Sequence, residues 1–134
     1  MIKILIAEDD LMMINTYKVW LSRILKPSAD SVVQFAMTCE EASFLLERNK
    51  YDLTFIDYSL PNVNGIYLIS SYRPKMGRLV IATTMPEISI ESCTSSDSTL
   101  TKPFSISDIR CEIQEILTEV NHVDEGAAGQ CEKY

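Results

Sequence analysis

Four short apolar runs constrain this chain more than any other feature: IKILIA at 2–7, SVVQFA at 31–36, DLTFID at 52–57 and RLVIAT at 78–83. None alternates cleanly between apolar and polar residues, the pattern of parallel strands covered by helices on both faces. The stretches between them carry apolar residues at helical spacing. Met13, Ile14, Tyr17, Trp20, Leu21, Ile24 and Leu25 form one amphipathic stripe, which Pro27 stops. Thr38 and Glu41 make a capping box ahead of EEASFLLERN. After the third run, PNVNG is turn chemistry, and GIYLISSYR predicts a short helix ending before Pro74. Ile106, Ile109, Ile113, Ile116, Leu117 and Val120 are the stripe of a last helix, with Ser105 as its N-cap and Asp108 in its first turn.

Between RLVIAT and that last helix, PEISIESCTSSDSTLTK has to hold a helix and a fifth strand. Its Ser and Thr content gives low helix propensity, so a shortened or irregular fourth helix is expected. The alternation of strand and helix predicts an α/β domain, a doubly wound five-stranded parallel sheet with right-handed crossovers. It spans residues 1–121, and the polar tail at 122–134 is expected to be disordered. A chain of 134 residues has room for one such domain.

The composition excludes several function classes. With 46% hydrophobic and 23% charged residues the chain reads as soluble and globular. No apolar run approaches the ~20 residues a bilayer helix needs. The amino terminus MIKILIAEDD turns acidic at Glu8 and lacks a small-residue cleavage site, so a cytoplasmic location is expected rather than export. Cys39, Cys93, Cys111 and Cys131 form no CxxC and are expected to be free thiols. A net charge of −7 disfavours nucleic acid as a partner and leaves proteins or small ions.

In a doubly wound sheet, ligands sit at the carboxyl ends of the strands. Glu8 and Asp9 end the first strand, Asp57 the third and Thr83 the fourth, and Lys102 follows the fifth, so all five gather at one edge. Three carboxylates held that close repel one another and need a countercharge. A hard divalent cation supplies it, and Mg²⁺ commonly uses one or two protein carboxylates together with a phosphate. Lys102 adds a point charge suited to a phosphoryl oxygen, and Thr83 a hydroxyl. Other roles stay open for these residues. Asp57 can cap the turn that follows it, Asp9 and Asp10 are an alternative acidic pair, Asp10 or Asn15 can cap the first helix, and Thr84 competes with Thr83. His122 reads as a helix-end cation.

Over about residues 2 to 120 the chain resembles a two-component response-regulator receiver domain. The acidic pair in ILIAEDD, the Asp in FIDYSLPNVNG with Pro61 and Gly65 at the family's offsets, Thr83 in VIATT, and TKPF carry the likeness as an ordered set. The resemblance implies a flavodoxin-like (βα)5 fold with strand order 2-1-3-4-5. It also implies that Asp57 takes a phosphoryl group from a phosphohistidine of a sensor histidine kinase or histidine phosphotransfer protein, forming an acyl phosphate. Mg²⁺, or Mn²⁺, would be held by Asp9, Asp57 and the backbone carbonyl of Ser59, with Glu8 reaching it through water. Thr83 and Lys102 would grip phosphoryl oxygens, and the Lys102–Pro103 bond would be cis. One departure is Thr99, which stands where many receivers carry the Tyr or Phe of an aromatic switch, so a readout through residues 85 to 99 is expected to be atypical.

The resemblance points to a stand-alone signalling receiver acting on a downstream protein target. It catalyses no reaction beyond its own phosphorylation and dephosphorylation. Two alternatives remain at this level. A haloacid-dehalogenase-type phosphatase needs a second acid two residues past its nucleophile, where this chain has Ser59. A pseudo-receiver that binds its partner without phosphorylation would have lost part of the acidic, Thr and Lys set, which is complete here.

Overall fold

In the computed structural model, residues 2–25, 30–57, 65–84 and 96–121 are described. Five strands form one sheet: β1 (Ile2–Ala7), β2 (Ser31–Ala36), β3 (Leu53–Asp57), β4 (Arg78–Thr83) and β5 (Ser98–Thr101). Every pairing is parallel and the order is β2-β1-β3-β4-β5, as expected. β3 begins one residue later than its apolar run. Asp52 turns its carboxylate back to accept from the Lys3 N–H at 2.9 Å, while its own N–H donates to the Lys3 carbonyl at 2.8 Å.

Helices α1 (Leu11–Ile24), α2 (Cys39–Arg48), α3 (Gly65–Tyr72) and α4 (Ile106–Asn121) cover the sheet. Asp10 caps α1 by accepting from the Met12 N–H at 3.1 Å. Thr38 caps α2 by accepting from the Glu41 N–H at 3.1 Å, and Glu41 reaches back to the N–H of Met37 at 2.7 Å, one residue further than the simplest box. Ser105 and Asp108 cap α4 reciprocally, with the Ser105 N–H donating to Asp108 Oδ2 at 2.9 Å. α4 is the last helix among the described residues. The helix expected between β4 and β5 falls at residues 85–95, outside the described residues, as do Pro27, the turn at 58–64 and the tail at 122–134.

Strand residues alternate between two hydrophobic layers. Ile4, Ile6, Leu53, Phe55, Val80 and Leu100 meet Tyr17 and Leu21 of α1 and Ile109, Ile113 and Ile116 of α4. Leu5, Ala7, Ala36, Ile56, Leu79 and Ile81 meet Cys39, Ala42 and Leu46 of α2 and Leu68 and Ile69 of α3. Leu117, expected in the buried stripe of α4, is exposed. Below the sheet, the buried Glu112 accepts from Arg78 Nε at 2.8 Å and from Ser98 Oγ at 3.2 Å, so a carboxylate inside the apolar layer is paired. Cys39 is a buried thiol outside any disulfide, whereas Cys111 is disulfide-bonded, which corrects the expectation of free thiols throughout.

A 3-10 turn (Arg73–Lys75) holds Pro74 and leads through Gly77 into β4. Gly77 has φ +65°, and a Cβ there would lie 2.4 Å from the Tyr51 carbonyl oxygen. The close approach of that backbone to the segment entering β3 therefore requires glycine.

Candidate functional site

The β1 ladder runs one residue past the strand, because the Glu8 N–H donates to the Ala36 carbonyl at 2.9 Å. By strand alternation Glu8 then continues the column of Ile4 and Ile6, on the face covered by α1 and α4. Asp57 continues the column of Leu53 and Phe55 on the same face, and Lys102 that of Leu100. The Lys102 N–H donates to the Thr83 carbonyl at 2.8 Å, which ties the residue after β5 to the end of β4. Three strands thus deliver two acids and one base to a single point.

The side chains meet there. Lys102 Nζ lies 3.1 and 3.4 Å from the two Glu8 oxygens and 3.3 Å from Asp57 Oδ2. Glu8 is 1% and Asp57 6% exposed, so the pairing is largely shielded from water. Burial, then the charge of Asp57, push the Glu8 carboxyl up to about 7, although Lys102 pulls the other way. Burial draws the Lys102 ammonium down, but the hydrogen bond and charge of Glu8 and the charge of Asp57 outweigh it and hold it above its ordinary value.

Asp9 is exposed beside this pair. Oxygens of Glu8, Asp9 and Asp57 all lie within 4.8 Å of one another, close enough to share one cation. All-oxygen, carboxylate-rich donors suit a hard divalent ion. Asp10 points elsewhere: its carboxylate caps α1, and its N–H donates to Glu8 Oε2 at 3.3 Å. Of the two acidic registers left open by the sequence, Glu8 with Asp9 is the one gathered at Asp57.

The remaining candidates divide. Thr83 is buried and ends β4, whereas Thr84 is exposed. Thr83 shares the parity of Ile81, so it belongs to the face opposite Asp57. The Lys102–Pro103 peptide is cis, as the resemblance implied. Thr99 pairs with Ile81 in the register of β5 and is exposed, so no aromatic ring fills that position. Gly65 begins α3. Ser59, Pro61 and His122 lie outside the described residues, as does most of the 85–99 segment.

Sequence reasoning missed the rings behind the site. Tyr17 and Phe55 are 5.5 Å apart, Tyr17 and Phe104 6.0 Å, and Trp20 and Phe104 6.2 Å. Tyr17 and Trp20 read as plain core residues of α1, and nothing local to Phe104 says that it crosses to them.

The comparisons agree with this arrangement. Residues 4–114 match the family described as response regulator receiver domain. The transcriptional regulatory protein CiaR of Streptococcus pneumoniae (strain ATCC BAA-255 / R6) is 30% identical over 122 residues, 87% of this chain and 52% of that protein. The chain therefore spans about half the length of that curated relative. A two-component response regulator from Clostridium difficile is 27% identical with a TM-score of 0.78, covering 90% of this chain and 99% of the other. The receiver domain of sensor histidine kinase PA1611 from Pseudomonas aeruginosa PAO1, solved with a magnesium ion coordinated in its active site cleft, shares the fold. Its identity is 21% and its TM-score 0.67, covering 87% of this chain and 94% of that one. Sheet order, the acidic cluster beneath Lys102 and the match over most of its length place this chain in the response regulator receiver domain family of two-component signalling.

Proposed function

We propose that Asp57 accepts a phosphoryl group from a phosphohistidine of a sensor histidine kinase or histidine phosphotransfer protein, and that the modified protein is read by a downstream protein target. The observation that supports this best is the buried Asp57 carboxylate at the mouth of the sheet, 3.3 Å from Lys102 Nζ and within reach of Glu8 and Asp9. A carboxylate oxygen of Asp57 attacks phosphorus as the P–N bond to the donor imidazole breaks, and that electron pair passes to the ring nitrogen. Lys102 exchanges its contact with Asp57 for one with a phosphoryl oxygen, and the Thr83 hydroxyl donates to another. The transition state of such a transfer is loose and its charge widely spread, so positioned charges and donors account for most of the acceleration.

The donor set suits Mg²⁺ or Mn²⁺, held directly by Asp9, Asp57 and the carbonyl of Ser59 and through water by Glu8. The magnesium of the PA1611 receiver domain supports that choice. When bound, the cation offsets the negative charge that a phosphoryl group brings to three carboxylates. The proposal assigns residues 1–121 to this receiver, sets it in the cytoplasm and includes no direct contact with nucleic acid or membrane.

Incubating the protein with Mg²⁺ and acetyl phosphate tests the reading. One hydroxylamine-labile phosphoryl group is expected on the wild-type chain and none on Asp57→Asn. Equal labelling of the two proteins rejects Asp57 as the acceptor.

A further inference from the structure

Only residues 102 to 105 separate β5 from α4, and both ends of that link are tied. The Lys102 N–H is bound to the Thr83 carbonyl, and Ser105 is bound into the cap of α4. Pro103, between them, is exposed and has no N–H to donate. Phe104 is therefore the one apolar side chain in the link that reaches another element. Its ring meets those of Tyr17 and Trp20, two residues one turn apart on α1, at 6.0 and 6.2 Å. Tyr17 is fully buried and packs in turn on Phe55, two residues before Asp57 on β3. Burial, then the charges of Glu8 and Asp57, raise the pKa of the Tyr17 hydroxyl well above its ordinary value.

We propose that Phe104 is a positioning residue for Lys102: packed on Tyr17 and Trp20 of α1, it sets where the ammonium stands relative to Asp57. The reason is mechanical. The lysine side chain is long and flexible, and its anchor points are the backbone of residue 102 and whatever immobilises the next two residues. With the ring removed, the link keeps its two tied ends but its middle can shift, and Lys102 Nζ follows. Even a small misplacement of the ammonium weakens phosphoryl transfer far more than it weakens the fold.

The inference rests on the reading of Asp57 as phosphoacceptor, and the experiment separates the two. Rates of labelling by acetyl phosphate at saturating Mg²⁺ are compared in the full chain for wild type, Phe104→Leu and Phe104→Tyr, each also carrying Lys102→Ala. Leucine keeps much of the apolar volume, which guards against simple unfolding, and circular dichroism checks this. Phe104→Leu is expected to slow labelling on the order of tenfold, and Phe104→Tyr to restore it to within about twofold. In the Lys102→Ala background, Phe104→Leu is expected to change nothing further, because the group it positions is gone.

Trp20 is the one tryptophan of the chain, so its emission reports on this packing directly. A change on adding Mg²⁺ with beryllofluoride, lost in Phe104→Leu and kept in Phe104→Tyr, is the second expected signature. Wild-type labelling rates in Phe104→Leu overturn the proposal, and so does equal slowing with and without Lys102, which would show that the ring serves the fold alone. Either result leaves the acceptor role of Asp57 standing, whereas labelling that ignores Asp57→Asn removes that role instead.

Discussion

At the scale of single residues, Glu8 is the group under most tension. It is buried, faces Asp57, and titrates near 7 instead of its usual 4.5. A proton and a cation therefore compete for it, and Mg²⁺ affinity is expected to weaken as pH falls through about 7, as titration calorimetry at pH 6 and pH 8 would measure. Glu8→Gln should flatten that dependence, and wild-type affinity that does not vary over the interval would put Glu8 outside the cation's reach. Without the cation, the folded chain holds this proton more tightly than the unfolded one. The Glu8 contribution to stability is therefore greatest below 4.5 and is lost as pH rises to about 7. The neighbouring acids divide by geometry. Asp9→Ala is expected to abolish Mg²⁺ binding in a folded protein, while Asp10→Ala, which removes the α1 cap, should cost about 0.5–2 kcal/mol of stability and leave binding intact. The reverse outcome would place the cation between Asp9 and Asp10.

At the scale of elements, Gly77 is a fixed point: it has positive φ, and a Cβ added there would run into the carbonyls of Tyr51 and Asp52. Gly77→Ala should lower stability by more than about 1 kcal/mol in urea unfolding, and a neutral change would mean the turn relaxes away from β3. The sequence offered no sign of this constraint, which arises from two segments meeting in space. Where a signal is local, it was legible. The bounds of β1, β2 and β4 and the caps at Thr38 and Ser105 follow from residue type and spacing along one segment, and the gathering of Glu8, Asp9, Asp57 and Lys102 followed from the strand ends they occupy. β5 was weakly marked, because STLT is polar and buries only Leu100. The Glu8–Lys102 pair and the ring contacts of Phe104 were not legible, since each joins elements far apart in sequence.

For the molecule as a whole, the acidic edge of the sheet is where stability and ligation meet. Lys102 pairs with both Glu8 and Asp57. Lys102→Ala should therefore lower the melting temperature without Mg²⁺, and Mg²⁺ should then raise it by more than it does in wild type, since the cation replaces the missing countercharge. An equal gain in both proteins would show the lysine and the cation to be independent. The alternation of the strands has one more consequence. Asp57 ends a column that belongs to the layer of α1 and α4, whereas Thr83 ends a column that belongs to the layer of α2 and α3. If Asp57 takes a phosphoryl group as proposed, a group attached to the first column and gripped by the second would act as a rivet through the rim of the sheet, joining the two oily slabs. The tilt of one slab against the other would then answer to a single covalent bond, and helices on both sides of the molecule would register it.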